Sequence, residues 1–333
     1  MSSGGPGRGL GRAGDSVLLI AHGTVDSLDD LPAFLKNIRR GHDAPPDLLA
    51  EVRRRYEAIG GQSPLNAINR EVAKRLEERL GVPVRTSNRL FSPYPKDVLA
   101  ELVSLGAKRV VVVPLAQHSA QIYGDAVKEA AAAAGLDLRI DAAPNWGRAP
   151  ELTLAFARSI LEALEKVPAA ERDRTTLLLT AHSLPMSVIQ AGDSYEVELR
   201  ASAEDVAARV RELGGVFADH AVAFQSQGMS SGPGGRPITW LGPDLRSCFT
   251  ELAARGQTQV VIAPIGFLAD HVEILYDLDI EARSWAEELG ITLRRAPSLN
   301  ASDGLVDALA AVARSVTSSE GATPAASVQS ERA

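Results

Sequence analysis

Four carboxylates in the segment DHVEILYDLDIE (270–281) carry the most specific chemical signal in the sequence. Asp270, Glu273, Asp277 and Glu281 are spaced by three, four and four residues, which predicts one shared helical face. The segment begins just beyond the apolar run VVIAPI, at a predicted strand end. Its other side carries Val272, Ile274, Leu275 and Leu278, and no lysine or arginine follows before Arg283. Acidic rows on helices are commonly plain solvated faces. A row with no cation at i,i+4 suits instead a hard divalent ion, or a path along which one moves. It lacks the HExxH arrangement of a zinc protease.

His182 is the second candidate. It directly follows the run TLLLT, so it sits at the C-terminal end of a predicted strand, where α/β sheets bind ligands. An imidazole has an ordinary pKa near ~6.5, which suits proton transfer at neutral pH. The competing reading is a core histidine bonded to backbone. His22, in AHGT, follows the run VLLI in the same way. His118 and Tyr123 come after RVVVVPL, and His271 adjoins the acidic row. Trp146 and Trp240 are placed either to line a flat apolar pocket or simply to pack.

Cationic groups come from IRRGHDAPP, with Arg39 and Arg40, and from Arg53, Arg54 and Arg55 ahead of Tyr56. Paired guanidiniums bind carboxylates through two parallel hydrogen bonds, but they also form plain basic surface. GGQSPL (60–65) predicts a Gly-Gly turn, then Ser63 as N-cap with Pro64 at the first helical position. Such helix starts attract anions, although most of them bind nothing.

The elements that must hold these residues are short apolar runs alternating with longer amphipathic segments. The runs predict strands at Val17–Ile20, Val84–Ser87, Arg109–Val113, Arg139–Ala142, Thr176–Leu179, His220–Phe224, Val260–Ala263 and Thr292–Arg295. Helices are predicted over 46–59, 65–79, 96–105, 124–134, 150–165, 195–213, 244–255, 271–289 and 303–315. Strands that are apolar on both faces and separated by helices imply an α/β fold with parallel sheets covered on both sides.

The chain also repeats itself. VLLIAHGT (17–24) resembles LLLTAHSL (177–184), and LVSLGAKRVVVVPL (102–115) resembles LAARGQTQVVIAPI (252–265). The matches keep their order at nearly one offset, which predicts two similar lobes with a ligand cleft between them. The expected organisation is a disordered N-terminus over 1–14, lobes over 15–150 and 151–315, and a disordered tail over 316–333.

Of the 333 residues, 45% are hydrophobic and 23% charged, the composition of a folded globular protein. A net charge of −7 argues against general nucleic-acid binding. The single cysteine, Cys248, excludes an internal disulfide and a four-cysteine [2Fe–2S] site. No signal-peptide core and no apolar run long enough for a membrane span are found. A cytoplasmic protein is expected.

Several long segments resemble the ferrochelatases, the single-chain chelatases that end haem synthesis. They are RYEAIGGQSPL (55–65), TAHSLP (180–185), GDSYEVEL (192–199), AFQSQG (223–228), WLGPD (240–244) and PIGFLADHVEILYDLDIE (264–281), and the likeness spans nearly the whole ordered chain. The resemblance implies two Rossmann-like lobes around a porphyrin cleft. It implies insertion of Fe2+, as substrate, into a porphyrin, with no tightly bound cofactor. It makes His182 and Glu273 the catalytic pair and the metal contacts. Asp277 and Glu281 become an acidic relay that feeds iron or holds a second divalent ion.

By the same resemblance Arg39, Arg55, Ser63 and Tyr123 line the porphyrin or meet its carboxylates. His22, placed with them at the porphyrin, stands where many relatives carry an aromatic residue. Porphyrin and Fe2+ are the implied partners, with upstream or downstream enzymes of the haem pathway. AHSLP, IRRG, YEAIGG and WLGPD are closest in style to the Gram-positive enzymes, which favours coproporphyrin III. A polar, arginine-bearing lip suits four carboxylates, whereas an enzyme for the two-carboxylate protoporphyrin IX at a membrane would favour an apolar lip. Protoporphyrin IX, a cobalt chelatase for sirohydrochlorin, a non-catalytic porphyrin or haem carrier, and a two-lobed receptor for a small anion are the alternatives.

Overall fold

The structure, a computed structural model, describes residues 10–228 and 237–318. Its centre is two four-stranded parallel sheets with matching strand orders, β2-β1-β3-β4 and β6-β5-β7-β8. In the first, β1 (Asp15–Ala21) lies between β2 (Val84–Asn88) and β3 (Arg109–Pro114), with β4 (Arg139–Ala142) at the edge. In the second, β5 (Thr176–His182) lies between β6 (Asp219–Gln225) and β7 (Gln259–Ala263), with β8 (Thr292–Arg295) at the edge. All seven residues of β1 are buried, as a parallel strand covered on both faces requires. The internal repeat is thus a repeat of topology: β1 matches β5 and β3 matches β7.

Helices cover both faces. The first lobe carries α1 (Leu31–Ile38), α2 (Pro46–Ala58), α3 (Leu65–Leu80), α4 (Pro95–Ser104) and α5 (Ala120–Ala133). Then come α6 (Pro150–Glu165), α7 (Met186–Gln190), α8 (Tyr195–Glu212), α9 (Leu245–Ala254), α10 (Arg283–Glu288) and α11 (Asp303–Ser318). The largest apolar cluster is continuous across both sheets. Leu19 and Val111 of one join Leu179 and Val261 of the other through Phe156 and Ile160 of α6 and Leu305 and Leu309 of α11. The last helix therefore returns to the first lobe, where Arg75 meets Asp303 and Arg79 meets Asp307.

The structure corrects several expectations. Leu10–Gly14, expected to be disordered, forms a turn held by Asp15, whose carboxylate accepts from Gly11 N at 3.1 Å and Arg12 N at 2.9 Å. Residues 316–318, expected in a disordered tail, continue α11 because Val316 packs against the main core and Thr317 is buried. Expectations for 1–9 and 319–333 lie outside the described residues. Helices α1 and α7 have no counterpart in the sequence reading. Helix α5 begins at Ala120 rather than 124, because Asn145 Oδ1 accepts from Ala120 N at 2.8 Å and completes the first turn. The helix expected over 271–289 is a π-helical turn, Ile274–Ala282, followed by α10. A π turn inside a helix is rare and concentrates at functional sites.

Asp15 and Arg109 clamp the starts of β1 and β3. The guanidinium donates to both carboxylate oxygens, Nε to Oδ1 at 2.9 Å and Nη2 to Oδ2 at 2.8 Å. Burial raises the Asp15 pKa, but Arg109 and the two backbone donors outweigh it and leave it lowered. Removing one member strands a buried guanidinium, so Asp15→Ala is expected to cost about 3 kcal/mol in urea unfolding at pH 7. A lowered carboxylate pKa means that this contribution is present above about pH 4 and fades as pH falls through the folded value.

Candidate active site

The two central strands both stop at a histidine on the same side of the molecule. His182 is the last residue of β5, and His22 is the first residue past β1. After β7 the chain turns through Pro264–Asp270 and delivers Phe267, His271 and Glu273 to the same place. Gly266 permits that turn: its N–H donates to Thr180 O at 2.9 Å, and a Cβ there would lie 2.4 Å from Ala181 Cβ. These side chains, with Tyr123 from α5 and Tyr195 from α8, line a cavity of about 310 Å³ between the lobes.

Within the cavity His182 Nε2 stands 3.8 Å from Glu273 Oε2, and His271 Nε2 stands 3.4 Å from the same oxygen. Burial pushes the Glu273 carboxyl up, but His182 and His271 outweigh it and draw its pKa down to about 2. Burial lowers the His271 pKa, yet Glu273 on one ring nitrogen and Ala269 O, 3.0 Å from the other, leave it raised. The His182 backbone is pinned by Tyr195, whose hydroxyl donates to His182 O at 2.8 Å. The result is an ionised carboxylate facing an imidazole that is open to the cleft.

On the first lobe, His22 is open to the cavity yet set deep in it. Desolvation lowers its pKa to about 4, so it is neutral at pH 7. Its Nδ1 lies 3.5 Å from the Tyr123 hydroxyl, which burial pushes up to about 12. Arg89 stacks over the Tyr123 ring at 5.7 Å. Sequence reading missed Arg89, and nothing in its spacing marks it.

The acidic row does not stay together. Asp270 is bonded away from the cavity, to Arg295 Nη1 at 3.0 Å, Ser298 Oγ at 2.7 Å and Asn300 Nδ2 at 3.0 Å. Asp277 and Glu281 line a neighbouring pocket of about 210 Å³ with Arg55, Ser226 and Trp285. Arg55 Nη1 lies 3.3 Å from Asp277 Oδ1, and the Ser226 hydroxyl donates to Asp277 Oδ2. The expected lack of cations beside the row is therefore corrected. Arg295 and Arg55 supply them from β8 and α2, beyond the reach of an i,i+4 count.

The remaining candidates are placed as follows. Arg55 faces Glu51, Asp277 and the Tyr276 ring (4.9 Å) rather than the larger cavity. Arg39 ends α1 at the surface and donates to Asp43 O at 3.2 Å. Ser63 is buried, and its hydroxyl accepts from Leu65 N at 3.4 Å, with Pro64 rather than Ser63 at the cap position of α3. Trp146 packs in the core and donates to Pro114 O at 2.8 Å. Among the described residues, no three His, Cys, Asp or Glu side chains converge into a ready-made metal cage. The nearest approach of candidate donors across the cavity is that of His182 to Glu273.

Comparison with known proteins gives a family and a fold. A family model described as Ferrochelatase matches residues 14–317. The Ferrochelatase of Acidobacterium capsulatum is 38% identical over 331 residues, covering 94% of this chain and 98% of the relative. The Coproporphyrin III ferrochelatase of Geobacillus kaustophilus is 37% identical over 308 residues, covering 89% and 94%. Among solved structures, SirB from Bacillus subtilis with Fe3+ matches with a TM-score of 0.57 at 16% identity, covering 92% of this chain and 97% of that one. That likeness is one of fold.

Desolvation raises the Asp277 pKa to about 6, with Ser226 and Arg55 opposing and Glu273 adding to it. The folded protein therefore holds a proton that the unfolded chain has released, and stability falls as pH rises from about 4 to about 6. In metal-free protein, Asp277→Asn is expected to be more stable than the parent by about 2 kcal/mol at pH 7. Urea unfolding at several pH values checks this, and the difference should close below about pH 4.

Proposed function

The chain belongs to the ferrochelatase family, and from that premise we propose that it inserts Fe2+ into coproporphyrin III, with His182 and Glu273 at the reacting centre. The observation that carries this reading is the 3.8 Å approach of His182 to an ionised Glu273 in a cavity shared by both lobes. Inserting iron into a porphyrin removes two N–H protons and the metal's hydration shell. An imidazole that accepts a proton or an iron bond, beside a carboxylate that does not protonate at neutral pH, suits both tasks. Mixed nitrogen and oxygen ligation also suits ferrous iron.

Asp277 and Glu281 lie one and two helical turns behind Glu273, which supports a role in guiding iron inward or holding a second divalent ion. Binding energy from the porphyrin carboxylates can offset the bending that exposes pyrrole lone pairs. Tyr123 and His22 line the cavity on the first lobe and are assigned to the porphyrin face. Arg39 is assigned to the rim of the cleft, at the end of α1. Arg55 and Ser63 keep a porphyrin role only if they act through neighbours, since neither lines the larger cavity.

The preference for coproporphyrin III rests on the polar segment Arg39–His42 at the end of α1 and on the printed substrate of relatives such as that of Geobacillus kaustophilus. The reaction is assigned to the cytoplasm, fed and drained by other haem-pathway enzymes; among the described residues no helix is long and apolar enough to cross a membrane.

Anaerobic incubation with Fe2+ and either coproporphyrin III or protoporphyrin IX tests the reading through loss of porphyrin fluorescence and growth of a metalloporphyrin spectrum. Faster quenching with coproporphyrin III is the expected result. Faster turnover of protoporphyrin IX would overturn the substrate preference, and tight binding of both without turnover would point to a carrier.

A further inference from the structure

Glu273 owes its place in the cavity to the backbone on either side of it, and two side chains outside the cavity hold that backbone. Asp270 stands three residues before Glu273, and Asp279 stands six residues after it, on the π-helical turn. Both carboxylates meet the guanidinium of Arg295. Its Nη1 donates to Asp270 Oδ1 at 3.0 Å, while Nε and Nη2 donate to Asp279 Oδ1 and Oδ2 at 2.8 and 3.0 Å. Arg295 is the last residue of β8 and pairs with Ile262 of β7, so its backbone is set by the sheet. The side chains of Arg295 and Asp270 are only 16% and 19% exposed, and charge-assisted bonds gain strength away from water.

Asn300 closes the clamp from the loop after β8. Its Oδ1 accepts from Asp270 N at 2.8 Å, its Nδ2 donates to Asp270 Oδ2 at 3.0 Å, and its own N–H donates to Leu268 O at 2.9 Å. The Ser298 hydroxyl donates to Asp270 Oδ1 at 2.7 Å. Asn300 makes its bonds with φ at +47°, a left-handed conformation that Asn and Gly take more readily than most residues. Backbone held in such a region clusters at functional sites, where the surroundings over-determine it. Leu268 and Ala269 before Asp270, and His271 after it, line the cavity, whereas Arg295, Ser298 and Asn300 do not. A shift of Asp270 therefore carries His271 and Glu273 with it.

We propose that Arg295 and Asn300 are positioning residues for iron insertion: by fastening Asp270 and Asp279 on either side of Glu273, they hold its carboxylate facing His182. This role rests on the reading of Glu273 as a group at the reacting centre. Neither residue touches a reacting atom, and both act through Glu273. Hydrogen bonds suit the task, because they fix direction and distance where apolar packing fixes only area. A reacting group must be held to a fraction of an ångström, and supporting hydrogen bonds are the usual means. Asp270 thereby leaves the acidic row as a site for cations and becomes the anchor of the turn that carries Glu273.

The test is single-turnover insertion of Fe2+ into pre-bound coproporphyrin III by the parent, Asn300→Gly, Arg295→Lys, Glu273→Gln and the double variant Asn300→Gly/Glu273→Gln. Glycine keeps the left-handed backbone at 300 and removes only the side-chain bonds. Lysine keeps the charge at 295 but lacks the fork that serves two carboxylates at once, and it covers the case in which Asn300→Gly fails to fold. Each single variant is expected to slow insertion about tenfold while porphyrin affinity stays within about twofold of the parent. In the Glu273→Gln background, Asn300→Gly should slow insertion no further, because the group it positions is already lost. A merely structural role would give the same loss in both backgrounds, and that result would overturn the proposal. So would a parental rate in Asn300→Gly and Arg295→Lys, or porphyrin affinity that falls in step with the rate. A parental rate in Glu273→Gln would defeat the reading of Glu273 itself, and the proposal with it.

Discussion

A carboxylate held in a half-enclosed cleft stays ionised only where positive or hydrogen-bonding groups repay its lost hydration, and Glu273 meets that condition through His182 and His271. The three residues come from two separate strand ends. β5 brings His182, and the turn after β7 brings His271 and Glu273. Their meeting therefore requires β5 and β7 to be parallel neighbours in a fixed register, and they are, with Leu179 opposite Ala263. The chemistry is set by backbone hydrogen bonding one step earlier than by any side chain.

A second condition is that the lobes hold still relative to one another. The shared apolar core through α6 and α11 supplies most of that restraint, since burial scales with area and is not tied to a single contact. Directional contacts then fix the cleft. Gln117 Nε2 donates to Ile265 O at 3.0 Å from one lobe to the other, and Arg148 pairs with Asp205 across the same boundary. At the mouth, α2 has one buried residue, Tyr56, and is fastened to the π-helical turn by Arg54 and Arg55 on the Tyr276 ring. Of α1 to α5 it is the helix with the fewest buried residues.

Much of this was legible in the amino-acid order for a physical reason. Buried parallel strands read as continuous apolar runs, so β1, β3, β5 and β7 stand out, and their repeat announces two lobes. His182, His22 and Glu273 follow such runs and so mark strand ends. Tyr123 was reached through family likeness and does line the cavity, whereas Arg39, Arg55 and Ser63 were reached in the same way and do not. Spacing failed where partners come from afar. Arg295 neutralises Asp270 and Arg55 neutralises Asp277 across long sequence separations, and the periodicity of 270–281 gave no hint of a π turn. The missing hydrogen-bond partners of His118 leave no mark in the sequence, because they are a property of packing.

The central claim is that His182 and Glu273 act on a bound porphyrin rather than merely lining its pocket. Stopped-flow insertion of Fe2+ into pre-bound coproporphyrin III, in the parent, His182→Ala and Glu273→Gln, measures that directly. Porphyrin affinity should stay within a few-fold of the parent while the insertion rate falls by about a hundredfold or more in each variant. Near-parental insertion in either one, with porphyrin bound, would contradict the account.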